Sequence, residues 1–214
     1  MRDAVIVDAV RAPIGRRKGT LRQVHPADLS ASVLTALASR NDLDPELIED
    51  IVWGCVTQIA EQSTNVGRLA VLAAGWPESI PGVTLDRACG SSQQAVHFAA
   101  ASVIAGHYDM VVAGGVESMS RVPLGSARAM GEPFGPRVKA RYQRDSFSQG
   151  LGAEDIARRW GFSRTQLDEF ALESHQKAAA PIDGGAFTGQ LVPVTGPDGE
   201  LKADEGVRRD TSLE

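Results

Sequence analysis

Apolar positions along this chain fall into two rhythms, short continuous runs and longer stretches at helical spacing. Residues 4–10 are apolar on both faces and rich in β-branched side chains, which predicts a strand buried in the middle of a sheet. Arg11-Ala12-Pro13-Ile14-Gly15 punctuates it as a loop. Pro26 suits the first turn of a helix, and Leu29, Val33, Leu34, Leu37 and Ala38 continue at helical spacing to Arg40. Residues 45–49 add a short helix and residues 50–56 a second buried strand. Residues 64–75 form a helix with a Ser/Thr cap at its start and a glycine stop at its end. Arg68, one turn into that helix, is either solvent-facing or held in an internal or subunit-interface ion pair. Residues 83–85 make a third strand, and residues 109–115 a fourth that ends in Gly114 and Gly115, which allow close backbone approach. This alternation indicates a parallel or mixed sheet covered on both faces, with functional residues at the carboxyl ends of the strands.

The third strand breaks at Cys89-Gly90-Ser91-Ser92 and becomes an apolar helix over residues 95–105. Apolar nearly all round, that helix is expected to be buried between layers. Cys89 therefore lies at a strand-to-helix junction, where unpaired N–H groups and the positive end of the helix dipole favour a thiolate. Gly90 leaves its approach open. Taken alone, these residues leave two alternatives, a reactive nucleophile or a buried structural cysteine. His97 stands about 12 Å further up the helix axis, too far for a Cys–His hydrogen bond, and is expected to be a core or interface histidine. Cys55, inside the second strand, fits a small core residue.

From Ser118 the rhythm is lost. Residues 118–152 are rich in Gly, Pro, Ser and Arg, the mark of an inserted subdomain. Arg137, Lys139, Arg141 and Arg144 surround Tyr142 there, as a patch for a nucleotide phosphate or an oligomer contact, or as a solvated loop. Helices follow over residues 152–160, closed by Gly161, and from the capping box at Ser163 through about Ala180. The remainder is loop with one short strand over residues 190–194.

With 214 residues, 43% hydrophobic and 23% charged, the chain is an ordinary soluble globular protein of one or two domains. No apolar run reaches membrane-spanning length, and the N-terminus enters a strand rather than a signal-peptide core, so a cytoplasmic location and no membrane partner are expected. A net charge of −5 gives no support to nucleic-acid binding. Two cysteines make no disulfide framework, and no His/Cys spacing suits a metal.

Several motifs together resemble one family. Cys89-Gly90-Ser91-Ser92 with Ala95, the Gly-Gly-Val-Glu-Ser-Met-Ser turn at residues 114–120, Asn65 with Arg68, and Ser163-Arg164 with Asp168, Ser174, His175 and Ala178 are similar to the thiolases, the acetyl-CoA acetyltransferases and 3-ketoacyl-CoA thiolases. They run the length of the chain in the family's order. The resemblance implies an α/β, thiolase-like layered fold, with a mixed, mostly parallel sheet covered by helices on both faces and an inserted loop subdomain. It divides the chain into a core half-domain over residues 1–117 and an incomplete loop subdomain over residues 118–214, with the C-terminal thiolase domain absent.

The resemblance also implies that Cys89 attacks the acyl carbon of an acyl-CoA and passes the acyl group to CoA or to a second acyl-CoA. Coenzyme A is then substrate and product, with no permanently bound cofactor, and a homodimer or tetramer is expected around the Cys89 region. Ser148 and Gln149 are substrate-binding candidates, because Ser148-Gln149-Gly150 stands where short-chain biosynthetic members carry His-Met-Gly. Arg208 follows Asp204-Glu205 as a CoA-phosphate arginine does in relatives; the alternative is a solvated surface arginine. With Asp86 in place of a common asparagine, and Gln93-Gln94 in place of a more apolar pair, this resembles degradative thiolases, including those acting on bulky or steroid side-chain acyl-CoAs.

The family's second half carries an asparagine-containing oxyanion element, a Gly-His-Pro histidine and a second cysteine. None of these lies in this sequence, so the chain is expected to be an N-terminal thiolase part, inactive alone. Two alternatives stay open: a non-catalytic subunit or fragment serving as a dimerisation or CoA-binding scaffold, and a ketosynthase relative served by acyl-carrier protein.

Overall fold

Five residues buried from end to end, Asp50–Gly54 (β1), form the central strand of a three-stranded parallel sheet. Gly82–Leu85 (β2) and Val111–Gly115 (β3) flank it in the order β2-β1-β3. Successive side chains of a strand point to opposite faces, so β1 serves two layers at once. Ile51 and Trp53, with Cys55 just beyond, share one core with helices Pro26–Arg40 (α1) and Val66–Ala73 (α2), through Leu34, Val66, Ala70 and Val71. Val52 packs instead with Ala95 and Ala99 of the helix Ser91–Ala105 (α3). An α/β sheet with helices on both faces is thus present.

The computed structural model describes residues 2–213. It comprises two compact units, Met1–Ala127 with Thr188–Gly206, and Arg128–Phe187 with Val207–Glu214. The later residues of the first unit belong to it because an antiparallel hairpin, Val194–Gly196 (β4) with Gly199–Leu201 (β5), packs its buried Val194 and Leu201 beside the turn at Thr20–Gln23.

Local chemistry explains the helix ends. Pro26 opens α1 with its fixed φ, and His25 Nδ1 accepts the Ala27 N–H at 3.2 Å. Asn65, not a serine or threonine, caps α2, its Oδ1 accepting the Arg68 N–H at 3.2 Å while its amide donates to the Gly82 carbonyl at 2.6 Å. Arg68 is half-buried. Its guanidinium donates to the backbone carbonyls of Ile80 and Glu78, tying the loop before β2 to α2.

Two buried elements of the sequence reading are open in the structure. Residues 4–10 form no strand, and Val5, Ile6 and Val7 are about four-fifths exposed, at 78%, 78% and 82%. The segment runs from an ion pair between Arg2 and Asp109 to Asp8, which accepts from Arg40 and Asn41 at the end of α1. Its composition suits a central strand, but a strand needs a neighbouring backbone, and the sheet among the described residues supplies none beside it. Likewise α3 buries only Ser91, Ala95 and Ala99, while Val96, Phe98 and Ile104 face outward. Among the described residues α3 is thus covered on one face only. His97 is exposed as well, which of the two expectations leaves the interface one.

A carboxylate clamp closes the first unit across most of the chain's length. Asp204 takes both Arg11 guanidinium nitrogens at 2.7 and 2.9 Å and the Ile14 N–H at 2.8 Å. Glu205 accepts from the Arg16 N–H and from the Thr20 hydroxyl at 3.0 and 2.6 Å. The Arg11 guanidinium, aided by the Ile14 N–H, holds the Asp204 carboxyl below its usual range. A carboxyl depressed in the folded state contributes stability above its unfolded value of about pH 4, and loses it as pH falls through the lower folded value. Asp204→Asn is therefore expected to be less stable by about 1 kcal/mol at pH 7. In thermal melts the gap should close as pH drops below about 4.

In the second unit three helices, Pro136–Tyr142 (α4), Gln149–Trp160 (α5) and Arg164–Asp183 (α6), bury no residue. Of the basic run around Tyr142, Arg137, Lys139 and Arg141 are helical in α4 and Arg144 lies beyond its end, with Lys139 paired to Glu132 and Arg144 to Asp155. Gly161 ends α5 at φ +71°, and Ser163 and Gln166 complete the capping box of α6. Phe134, Tyr142 and Phe147 form a small aromatic group, with ring centroids 4.9 and 5.5 Å apart.

Candidate active site

Cys89 is exposed, between the end of β2 and the first turn of α3. The backbone reaches it through a left-handed residue, Ala88, at φ +47°. A web of hydrogen bonds holds that turn. Asp86 Oδ1 accepts the Ala88 N–H at 2.7 Å, and the buried Ser91 hydroxyl takes the Arg87 N–H at 2.9 Å while donating to the Ala88 carbonyl at 2.7 Å. The Gly90 and Ser91 N–H groups donate to the Arg87 and Ala88 carbonyls, both at 3.1 Å. Those two amides are thus occupied, a tighter junction than the open helix start that the sequence suggests. Arg87 reaches forward to Gln94 at 2.6 Å.

Two glycines set the height of this helix over the sheet. A Cβ on Gly54, the last residue of β1, would stand 2.5 Å from the Ser92 backbone nitrogen, and one on Gly115, the last of β3, 2.5 Å from the Gly54 carbonyl oxygen. The α3 N-terminus therefore rests on bare backbone at the carboxyl ends of the strands, where a parallel sheet gathers its functional groups.

Beyond β3 the chain turns through Glu117, a residue to which the sequence reading gave no role of its own. Its carboxylate accepts the Val56 N–H at 2.9 Å and the Gln62 side-chain amide at 2.9 Å. Gln62, fully buried, also donates to the Thr57 carbonyl at 2.9 Å and accepts the Ser118 N–H at 2.6 Å. The usable signal was the acid that closes an otherwise apolar strand-and-glycine run, Gly114-Gly115-Val116-Glu117. Cys55 sits beside this carboxylate. Burial, reinforced by the Glu117 charge, pushes its thiol up to about 12, which leaves it a core residue and not a nucleophile.

The other candidates belong to the second unit. Ser148 caps α5 by accepting the Leu151 N–H at 3.2 Å, and Gln149 is the first residue of that helix. The Arg208 backbone N–H donates to His175 Nδ1 at 3.2 Å, and the Arg208 side chain is exposed. Among the described residues no group of three or more His, Cys, Asp or Glu is placed to hold a metal ion, and no helix is long and apolar enough to cross a membrane.

Comparison with known families decides the class. The family described as "Thiolase, N-terminal domain" matches residues 4–214. The chain belongs to the thiolase family. It is 43% identical to the steroid 3-ketoacyl-CoA thiolase FadA6 of Mycobacterium tuberculosis, covering 100% of this chain and 54% of that protein. It is also 43% identical to a 3-ketoacyl-CoA thiolase of Erwinia tasmaniensis, covering 56% of that relative. The crystal structure of the Bacillus anthracis acetyl-CoA acetyltransferase matches 99% of the chain, at a TM-score of 0.83 and 32% identity, over 57% of its own length. This thiolase chain thus spans about half the length of the curated relatives it matches.

Proposed function

We propose that Cys89 is the acyl-accepting nucleophile of a thiolase. In thiolysis its thiolate attacks the C3 ketone carbon of a 3-ketoacyl-CoA, the C2–C3 bond breaks, acetyl-CoA leaves as its enolate and takes up a proton at C2, and the shortened acyl group passes from Cys89 to the thiolate of a new CoA. In the condensation direction Cys89 is acylated by an acyl-CoA, CoA leaving as a thiolate that takes up a proton, and a second acyl-CoA, deprotonated at C2, accepts the acyl group. The observation that carries this reading is the exposed cysteine at the β2–α3 junction of a thiolase-family chain, with the second cysteine buried and hard to ionise. Thioester exchange suits such a site, because a thiol ionises and leaves more readily than a hydroxyl.

The substrate is a 3-ketoacyl-CoA on the degradative side of the family. Relatives named for 3-ketoacyl-CoA and for steroid 3-ketoacyl-CoA support this, as does Ser148-Gln149-Gly150, with no histidine, at the family's acyl-pocket position. Ser148 and Gln149 line the acyl side, and the exposed Arg208 binds a CoA phosphate. The protein acts in the cytoplasm, needs no bound cofactor, and pairs with a second copy through the open edge of β2 and the outward Val96, Phe98 and Ile104 of α3.

The 214 residues contain no Gly-His-Pro histidine and no cysteine after Cys89. Assayed alone, the chain is expected to show no steady-state thiolysis of a 3-ketoacyl-CoA; turnover at the rate of a full-length thiolase would refute that. The apolar outer face of α3 favours a second reading, a dimerisation scaffold without chemistry. Iodoacetamide separates the two. A nucleophile predicts carboxamidomethylation of Cys89 at least about tenfold faster at pH 7 than in a peptide of residues 84–95, whereas a scaffold predicts equal rates.

A further inference from the structure

Ala88 is the residue on which presentation of Cys89 turns. It is one of seven non-glycine residues with positive φ among those described, and it directly precedes the candidate nucleophile. A glycine would adopt this conformation freely, but alanine holds it only where the surroundings over-determine it. Two side chains do so here, from opposite sides. Ser91, buried at the start of α3, grips the turn from the helix through the Arg87 N–H and the Ala88 carbonyl. Asp86, exposed at the end of the strand segment, grips it through the Ala88 N–H at 2.7 Å. If the Ala88 N–H is released, the residue can relax to negative φ, and Cys89 then leaves its place ahead of the α3 start, where the Ser91 and Ser92 backbone rests on Gly54.

We propose that Asp86 is a positioning residue for Cys89: its carboxylate oxygen pins the Ala88 N–H and so fixes the left-handed step that delivers the thiol to the junction. This rests on the reading of Cys89 as the nucleophile. The role requires an acceptor atom and not a negative charge, so an asparagine at 86, with an oxygen in the same place, performs it equally. It also makes the two neighbours interdependent, since a glycine at 88 removes the need for the clamp.

The test is the rate of Cys89 carboxamidomethylation by iodoacetamide, followed by intact mass at pH 7, beside a peptide of residues 84–95. Asp86→Ala should slow the reaction about fivefold, Asp86→Asn should leave it within about twofold, and the double variant D86A/A88G should restore it. Restoration by glycine is the readout that general destabilisation would not produce. An unaltered chain no faster than the peptide overturns the nucleophile reading, and this proposal with it. A fast unaltered chain with an equally fast D86A overturns this proposal alone. Should D86A fail to fold, D86N decides: a rate near that of the unaltered chain supports the clamp, and a fivefold fall overturns it.

Discussion

Gly54→Ala should lower the stability of the first unit by about 3 kcal/mol or more, with a melting temperature roughly 10 °C lower. The new methyl group would stand 2.5 Å from the Ser92 nitrogen and 2.6 Å from the Ser91 carbonyl carbon, and both are backbone atoms of a helix that cannot rotate aside. The clash is relieved only by lifting the start of α3 off the sheet, and α3 is held there by Ala95 and Ala99 against Val52. Gly115→Ala meets the Gly54 carbonyl and the Ser92 hydroxyl and should behave alike. Gly131→Ala, with open space around it, is the control and should change the melting temperature little. Because the displaced atoms lead directly into Cys89, both clashing variants should also lose its enhanced alkylation. Thermal melts and the alkylation rate check the two halves of this prediction. An alanine at 54 that melts like the unaltered chain would show that α3 does not rest where its backbone is placed.

The second large effect is expected at Glu117. Its carboxylate gathers the Val56 N–H and the Gln62 amide, and Gln62 in turn holds Thr57 and Ser118. Removing the acceptor orphans donors around a fully buried glutamine, where the desolvation penalty is paid without return. Glu117→Ala should therefore destabilise by about 2–3 kcal/mol in urea titration. Glu117→Gln keeps an acceptor but brings a second donor, and should fall between the two. Because the network joins the segments that follow β1 and β3, the loss should spread to the loop over residues 55–62, seen as faster amide exchange there. The Cys55 thiol should meanwhile ionise more readily, since the carboxylate beside it helps to hold it up.

What the sequence discloses about this fold depends on whether the information is local. The helix from Pro26 to Arg40 is legible to the residue, because a proline start and a helical apolar stripe that buries Leu34 coincide. Asp50–Gly54 is legible because a strand buried on both faces has no polar side to disguise it. Residues 4–10 carry the same composition, yet pairing is a property of neighbours, and no local pattern supplies the neighbour. For α3, apolarity all round indicates burial but does not say which element covers each face; among the described residues the sheet covers the Ala95 and Ala99 side.

At the site, the break at Cys89 is legible as a strand ending in glycine and serine. The left-handed step is not, since alanine carries no turn signal and Asp86 stands out in sequence only as a replacement for a common asparagine. Arg68 shows the same limit, because its partners are backbone carbonyls, which leave no mark in the pattern of side chains. Ser148 and Gln149 could be placed in sequence by the motif they replace, while the cap that Ser148 forms on α5 follows only from the spacing to Leu151 in the folded chain.

The central claim is that one sulfur of this chain accepts an acyl group from coenzyme A. Its most direct test is intact-mass analysis of the chain after brief incubation with acetyl-CoA, with the modified residue located by peptide mapping. The account predicts a single acetyl adduct on Cys89 that hydroxylamine removes, that persists in Cys55→Ala, and that is absent from Cys89→Ala. An unmodified chain, or an adduct that survives Cys89→Ala, would contradict it.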